Sequence, residues 1–99
     1  MDIHSILDGC RGFQWDKGNS LKSWLKHSVT GEEAEQGFFN EPLLFHDNKH
    51  SEYEDRFLSF GKTDEGRYLV VAFTVRERHI RIISARNMNK KEREDYEKF

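Results

Sequence analysis

Seven cations crowd one end of this chain: Arg76, Arg78, Arg81 and Arg86, then Lys90, Lys91 and Arg93. A guanidinium is a planar fork of donors that fits phosphate oxygens. In Ile80-Arg81-Ile82-Ile83 a strand would point Arg81 away from Ile80 and Ile82. A charge placed there needs a carboxylate on the neighbouring strand or a ligand site to face. Lys26-His27 is a second pair suited to phosphate chemistry, with lysine as a fixed charge and histidine as proton donor or acceptor near neutral pH. A plainer reading makes His27 a cation capping a helix C-terminus. Glu52, Glu54 and Arg56 lead into another strand, where a carboxylate and a further guanidinium can share the arginine surface. His46-Asp47-x-x-His50 has metal-ligand residue types, but in a loop nothing aims both imidazoles at one ion. Solvated histidines are the expectation there. Cys10 is the one cysteine, which excludes an internal disulfide and CxxC chemistry. It is expected to be an ordinary thiol in a mobile N-terminal tail, in a reducing, cytosolic compartment.

These residues need elements to hold them. Phe13-Gln14-Trp15 alternates as a short strand, and Asp16 follows as a helix N-cap. Between Asp16 and His27, Leu21, Trp24 and Leu25 form one apolar stripe, with Lys22 and Lys26 together on another face. Thr30-Gly31-Glu32-Glu33 is a capping box that opens a second helix, burying Ala34, Gly37 and Phe38 until Pro42 stops it. The period then becomes that of a sheet: Leu43–His46, Arg56–Lys62, Tyr68–Val75 and Arg78–Ala85, with turns at 63–66 and 76–78. The nearly continuous apolar run of the third of these predicts a central strand covered on both faces. Asn89 with Glu92 starts a last helix, Lys90 to Lys98, with so little to bury that it is held weakly and is free to move or dock on a partner. The expected class is α+β, an antiparallel sheet with helices packed on it, in the order β-α-α-β-β-β-β-α. Residues 1–12 read as a weakly patterned leader and 13–99 as a single domain.

The formal net charge of −2 hides a division. Residues 1–66 hold seven basic and thirteen acidic side chains, a net of −6; residues 67–99 hold nine and five, a net of +4. Charge is therefore a property of faces, and an anionic ligand is compatible with a near-neutral whole. No window approaches a membrane span, and no signal-peptide pattern is visible at the N-terminus. Walker, GxGxxG, GxSxG, HExxH and EF-hand spacings do not occur, so no cofactor and no metal are expected.

Taken in order, these segments resemble the BrnT family of type II toxin–antitoxin systems, whose fold is like that of the RelE ribonuclease toxins. The resemblance is carried by Phe13-Gln14-Trp15-Asp16, Lys26-His27-Ser28-Val29 with Glu32-Glu33-Ala34, and Phe38-Phe39-Asn40-Glu41-Pro42-Leu43. It continues through Lys49-His50-Ser51-Glu52, Glu54 to Arg56, Gly61 to Arg67, Ile80 to Arg86, Lys91-Glu92-Arg93 and Tyr96-Glu97. The leader 1–12 lies outside the family pattern. The resemblance implies a metal-independent endoribonuclease that arrests growth and is neutralised by a BrnA-like ribbon-helix-helix antitoxin. It further implies a cytoplasmic 2:2 complex in which the antitoxin makes the DNA contacts. Attack of a ribose 2′-hydroxyl on the adjacent phosphate needs proton transfer and positive charge. His27, Glu54, Arg81 and Arg86 are the expected catalytic residues, and Lys26, Arg56, Arg78, Lys90 and Lys91 the expected RNA contacts. The alternative is a non-catalytic interaction module that binds a partner protein through the basic sheet face. Two departures stand out: Ser28 where the family often has Gly, and Ser23 where it often has Asn. A glycine there supplies a positive φ at a helix end, so Ser28 is expected to be strained or to alter the loop presenting His27.

Overall fold

The run Leu69-Val70-Val71 is buried on both faces because its strand lies in the middle of a five-stranded sheet. The computed structural model describes residues 3–99, so the first two residues of the predicted leader lie outside the described residues. In chain order the elements are α1 (Ile3–Asp8), β1 (Gly12–Trp15), α2 (Lys17–His27), α3 (Gly31–Gln36), β2 (Leu43–His46), β3 (Phe57–Lys62), β4 (Tyr68–Arg76), β5 (His79–Asn87) and α4 (Lys90–Glu97). Single 3-10 turns follow α3 and β2. The sheet order is β1-β5-β4-β3-β2. Its β2–β5 portion is an antiparallel meander, whereas β1 pairs with β5 in parallel, Gly12 to His79 through Trp15 to Ile82. The all-antiparallel expectation is corrected at that edge: β1 reaches the sheet through a long crossover, and only a tight hairpin would force the opposite direction. Between Ala72 and Phe73 the register shifts by one, leaving Ile83 as an extra residue in β5. The core positions of β5 pass accordingly from Ile80 and Ile82 to Ala85.

One face of the sheet carries the core, in which Phe73, Leu69, Ile82 and Val71 are almost fully enclosed. Phe38, from the turn after α3, packs edge-on against both Phe13 and Phe73. At Gly61 a Cβ would sit 2.6 Å from the Gly37 carbonyl oxygen, so glycine is what lets that turn lie directly on β3. Helix α1 belongs to the same core: Ile3, Ile6, Leu7 and Cys10 pack against it. Cys10 is therefore no mobile-tail thiol. Its Sγ is 3.4 Å from the Ile6 carbonyl, and burial raises its pKa, away from reactivity.

Helix α2 departs from its sequence reading. Leu21, Trp24 and Leu25 are exposed, and the buried contact is Ser23. The cause is position: α2 continues β1 along the sheet edge and lies against β5 where β1 has ended. There the Ser23 hydroxyl accepts the unpaired edge N–H of Ala85 at 3.2 Å, a task for a short polar side chain. The predicted capping box forms at Thr30, Asn89 and Glu92 make another at the start of α4, and Asp16 caps α2 through the N–H of Gly18.

Candidate functional site

The sheet face opposite the core is set by register. Thr74 stands across from Arg81, Ala72 from Ser84, Val70 from Arg86, and Tyr68 from Lys62. Helix α4 covers the Tyr68 end. Arg86 grips Glu92 with two hydrogen bonds of 2.8 and 2.9 Å, Arg93 lies over the Tyr68 ring, and Tyr96 packs edge-on against that ring. The Tyr96 hydroxyl donates to the carbonyl of Glu41 at 3.2 Å. A thin apolar face is thus reinforced by an ion pair and two aromatic contacts.

The other half of the face is open. A groove of about 410 Å³ lies there, lined by Thr74 and Ile83 from the sheet and by Lys49, His50, Glu52, Tyr53, Glu54 and Arg56 from the loop between β2 and β3. That loop is pinned at its neck. The Ser51 hydroxyl donates to the Asp47 carbonyl (2.7 Å) and accepts the Arg56 N–H (3.0 Å), while the Thr74 hydroxyl donates to the Asp55 carbonyl (2.8 Å). Glu54 meets Arg76 side by side, Nε to Oε2 at 2.9 Å and a terminal nitrogen to Oε1 at 2.6 Å. The hydrogen bonds from Arg76 outweigh the opposing effect of burial and, with the charges of Arg76 and Arg81, hold the Glu54 carboxyl below its ordinary pKa. Arg81 answers the question of its partner: Asp16, just past the neighbouring strand β1, is 3.7 Å away, close enough for attraction but too far for a hydrogen bond. Its donors stay open to a ligand on this face.

The structure therefore brings Glu54, Arg56 and Arg81 together with Arg76, Lys49 and Thr74. It does not bring His27 or Lys26 to them. The His27 carbonyl is held by Arg67, at the start of β4, while Glu54 is held at the far end of that strand. The seven residues from Arg67 to Thr74 span about 23 Å of strand at ~3.3 Å each. Arg86 is occupied with Glu92, Arg78 sits exposed in the hairpin tip at φ 63°, and Lys90 and Lys91 lie on the exposed first turn of α4. In the 46–50 segment His46 pairs with Asp55 and His50 with Asp47. The Asp55 hydrogen bond, then that to Asn48, raises the His46 pKa. Among the described residues no group of three or more His, Cys, Asp or Glu converges as metal ligands would.

Sequence reasoning passed over Arg67. Its guanidinium donates to the carbonyls of His27 (2.8 Å) and Ser28 (2.9 Å), to Glu33 (3.0 Å) and to Asn87 (2.8 Å). This residue, forty positions away, is the cation at the end of α2 that His27 was expected to supply. Ser28 itself takes the left-handed conformation, φ 53° and ψ 38°, the strain expected of a serine in a glycine position. No local pattern could have disclosed Arg67; Arg76 was visible only as one of a run of arginines.

The model of the BrnT family, described as the ribonuclease toxin of a type II toxin–antitoxin system, matches residues 15–92. This chain belongs to the BrnT toxin family. The BrnT match takes in α2, the whole meander and the groove, so the site lies on the family's own part of the fold. The 1.1 Å crystal structure of the Brucella abortus ribonuclease toxin BrnT superposes with a TM-score of 0.64 at 17% identity, covering 80% of this chain and 97% of that one. The likeness is one of fold: α+β, with a five-stranded sheet and helices. The comparison with curated proteins gives no match.

Proposed function

We propose that this BrnT-family toxin is a metal-independent endoribonuclease whose site is the open half of the sheet face. The observation that carries the proposal is a groove able to seat a phosphodiester, lined by Lys49, Glu52, Glu54 and Arg56, with Arg76 bonded to the Glu54 carboxylate and the charge of Arg81 acting on it. Arg81 and Arg56 bind the scissile phosphate and stabilise the charge that builds on the phosphorane. A phosphate oxygen competes with Glu54 for Arg76, and the released carboxylate takes the proton of the ribose 2′-hydroxyl. The 2′-oxygen bonds to phosphorus as the bond to the 5′-oxygen breaks, leaving a 2′,3′-cyclic phosphate. The departing 5′-oxygen takes its proton from water, to which the groove is open, and Glu54 returns its own to solvent. Lys49 at the groove and, outside it, Lys26 on α2, Arg78 in the hairpin tip and Lys90 and Lys91 on α4 attract the backbone on either side. His27 is the second candidate for proton transfer, placed at the opposite end of the sheet. The partner is a BrnA-like ribbon-helix-helix antitoxin in a 2:2 complex in the cytoplasm, with DNA contacted by the antitoxin. No helix among the described residues is long and apolar enough to cross a membrane.

The test is cleavage of a defined single-stranded RNA by purified protein in the presence of EDTA, with the ends analysed. Cleavage with cyclic-phosphate ends is expected. Glu54→Gln should lower the rate about 10²–10⁴-fold, the usual worth of a general base. Arg81→Ala should lower it by about 10²–10³-fold, as for loss of one charge-stabilising donor group. Loss of activity on chelation removes the metal-independent mechanism. Wild-type rates in both variants remove the site, and a larger loss in His27→Ala moves proton transfer to α2. Absence of cleavage with tight antitoxin binding favours the interaction-module reading.

A further inference from the structure

Of the large apolar side chains exposed among the described residues, Leu21, Trp24 and Leu25 fall on one helix, at 57%, 51% and 72% exposure. They are not a loose end of the fold. Helix α2 is fixed at its start by Asp16, at its end by Arg67, and along its inner side by Ser23 on the edge of β5. At about 100° per residue, Leu21 and Leu25 project roughly opposite to Ser23, with Trp24 to one flank and Lys22 and Lys26 to the other. A firm helix thus turns a continuous apolar stripe to solvent, a pattern that marks an interaction surface.

Charge selects the occupant. The sequence of α2 holds three lysines and no acid. A second copy docked on the same face would oppose lysine to lysine with no carboxylate on the helix to relieve them. Nucleic acid would use the lysines and Trp24, but it gains little from two leucines directed straight outward. An amphipathic peptide segment with acidic residues beside its apolar stripe satisfies both parts.

We propose that the outward face of α2 is the docking site of the antitoxin, occupied by an acidic amphipathic segment that covers Leu21, Trp24 and Leu25 and pairs with Lys22. The inference rests on the antitoxin partnership proposed above but not on ribonuclease activity. It places neutralisation partly outside the groove, on Leu21, Lys22, Trp24 and Leu25, to which no step of the cleavage is assigned.

The experiment titrates purified cognate antitoxin into the wild-type chain, Leu21→Glu/Leu25→Glu and Lys22→Glu, with RNA cleavage and thermal melting measured on each. The double variant should bind antitoxin about 100-fold more weakly or worse, as for a lost interface centre. Lys22→Glu should weaken it about tenfold, with a smaller salt dependence. Melting and cleavage should stay at wild-type values, since these side chains are solvent-facing and outside the groove. Unchanged antitoxin affinity in the double variant overturns the proposal. So does loss of RNA affinity in place of antitoxin affinity, which makes α2 an RNA track, or a wild-type dimer that the double variant dissolves. A wild-type chain that cleaves nothing yet shows the expected loss of antitoxin overturns the ribonuclease mechanism and leaves this surface standing.

Discussion

Glu54 and Arg76 form the pair on which the chemistry turns. As a carboxylate held by two hydrogen bonds, Glu54 is ionised at neutral pH but is a weak base, because the contacts that lower its pKa also lower its appetite for a proton. The groove resolves this only if the phosphate draws Arg76 away. Arg76→Ala should therefore raise the Glu54 pKa toward its ordinary value. The acid limb of the kcat/KM profile, set by protonation of the free-enzyme base, should then move to higher pH. Rates measured from pH 3 to 8 decide the point: an unmoved limb means that Arg76 does not hold the reacting carboxylate. A sequence could offer Glu54, Arg56 and Arg81 as candidates because each interrupts or abuts an apolar strand. It could not offer the Glu54–Arg76 pair, because the partners are twenty-two positions apart and meet only when a loop folds over the end of β4.

The elements were legible where local chemistry decides them. Asp16, Thr30 and Asn89 cap the helices assigned to them, and the strand periods of β2 to β5 are those of the observed sheet. Two features escaped because they depend on what lies alongside. The stripe of α2 looks like a core stripe, yet the edge position of the helix gives the inner contact to Ser23. The direction of β1 is carried by no residue type and follows from its crossover. The end of α2 was readable in part: a serine at a glycine position implied left-handed strain, and Ser28 has it. Ser28→Gly should remove a cost of about 1–2 kcal/mol, partly offset by the greater freedom of glycine in the unfolded chain. The net expectation is about 1 kcal/mol of added stability. For a chain of this length that is a rise in Tm of about 4–8 °C. A Tm at or below that of the wild type would show that the Ser28 conformation carries no such strain.

On the scale of the whole molecule, the acidic front and basic back of the sequence are folded onto one another. Arg67 pairs with Glu33, Arg76 with Glu54 and Arg81 with Asp16, each joining the basic final third to the acidic first two-thirds. The division seen along the chain is thus partly neutralised in space, and the field available to RNA is the local remainder at the groove. Ion pairs of this kind, and the Arg86–Glu92 pair within the final third, make the fold sensitive to acid. The Arg86 hydrogen bonds, outweighing burial and joined by the Asn89 N–H, lower the Glu92 pKa. Burial acts to raise Glu33, but the Thr30 N–H and Arg67 prevail and lower it. Groups whose pKa is depressed by folding contribute their stability above the unfolded value, and that contribution is lost as pH falls through the folded value. Stability should be nearly level from pH 7 to the ordinary carboxylate range and should decline below about pH 4. Glu92→Gln removes one of these groups and loosens α4, so its stability at pH 7 should be lower and its decline toward acid shallower. Urea unfolding from pH 2.5 to 7 measures both slopes. Parallel curves for wild type and variant would mean that the Arg86–Glu92 clasp contributes nothing to holding the last helix on the sheet, and that its aromatic contacts alone keep it there.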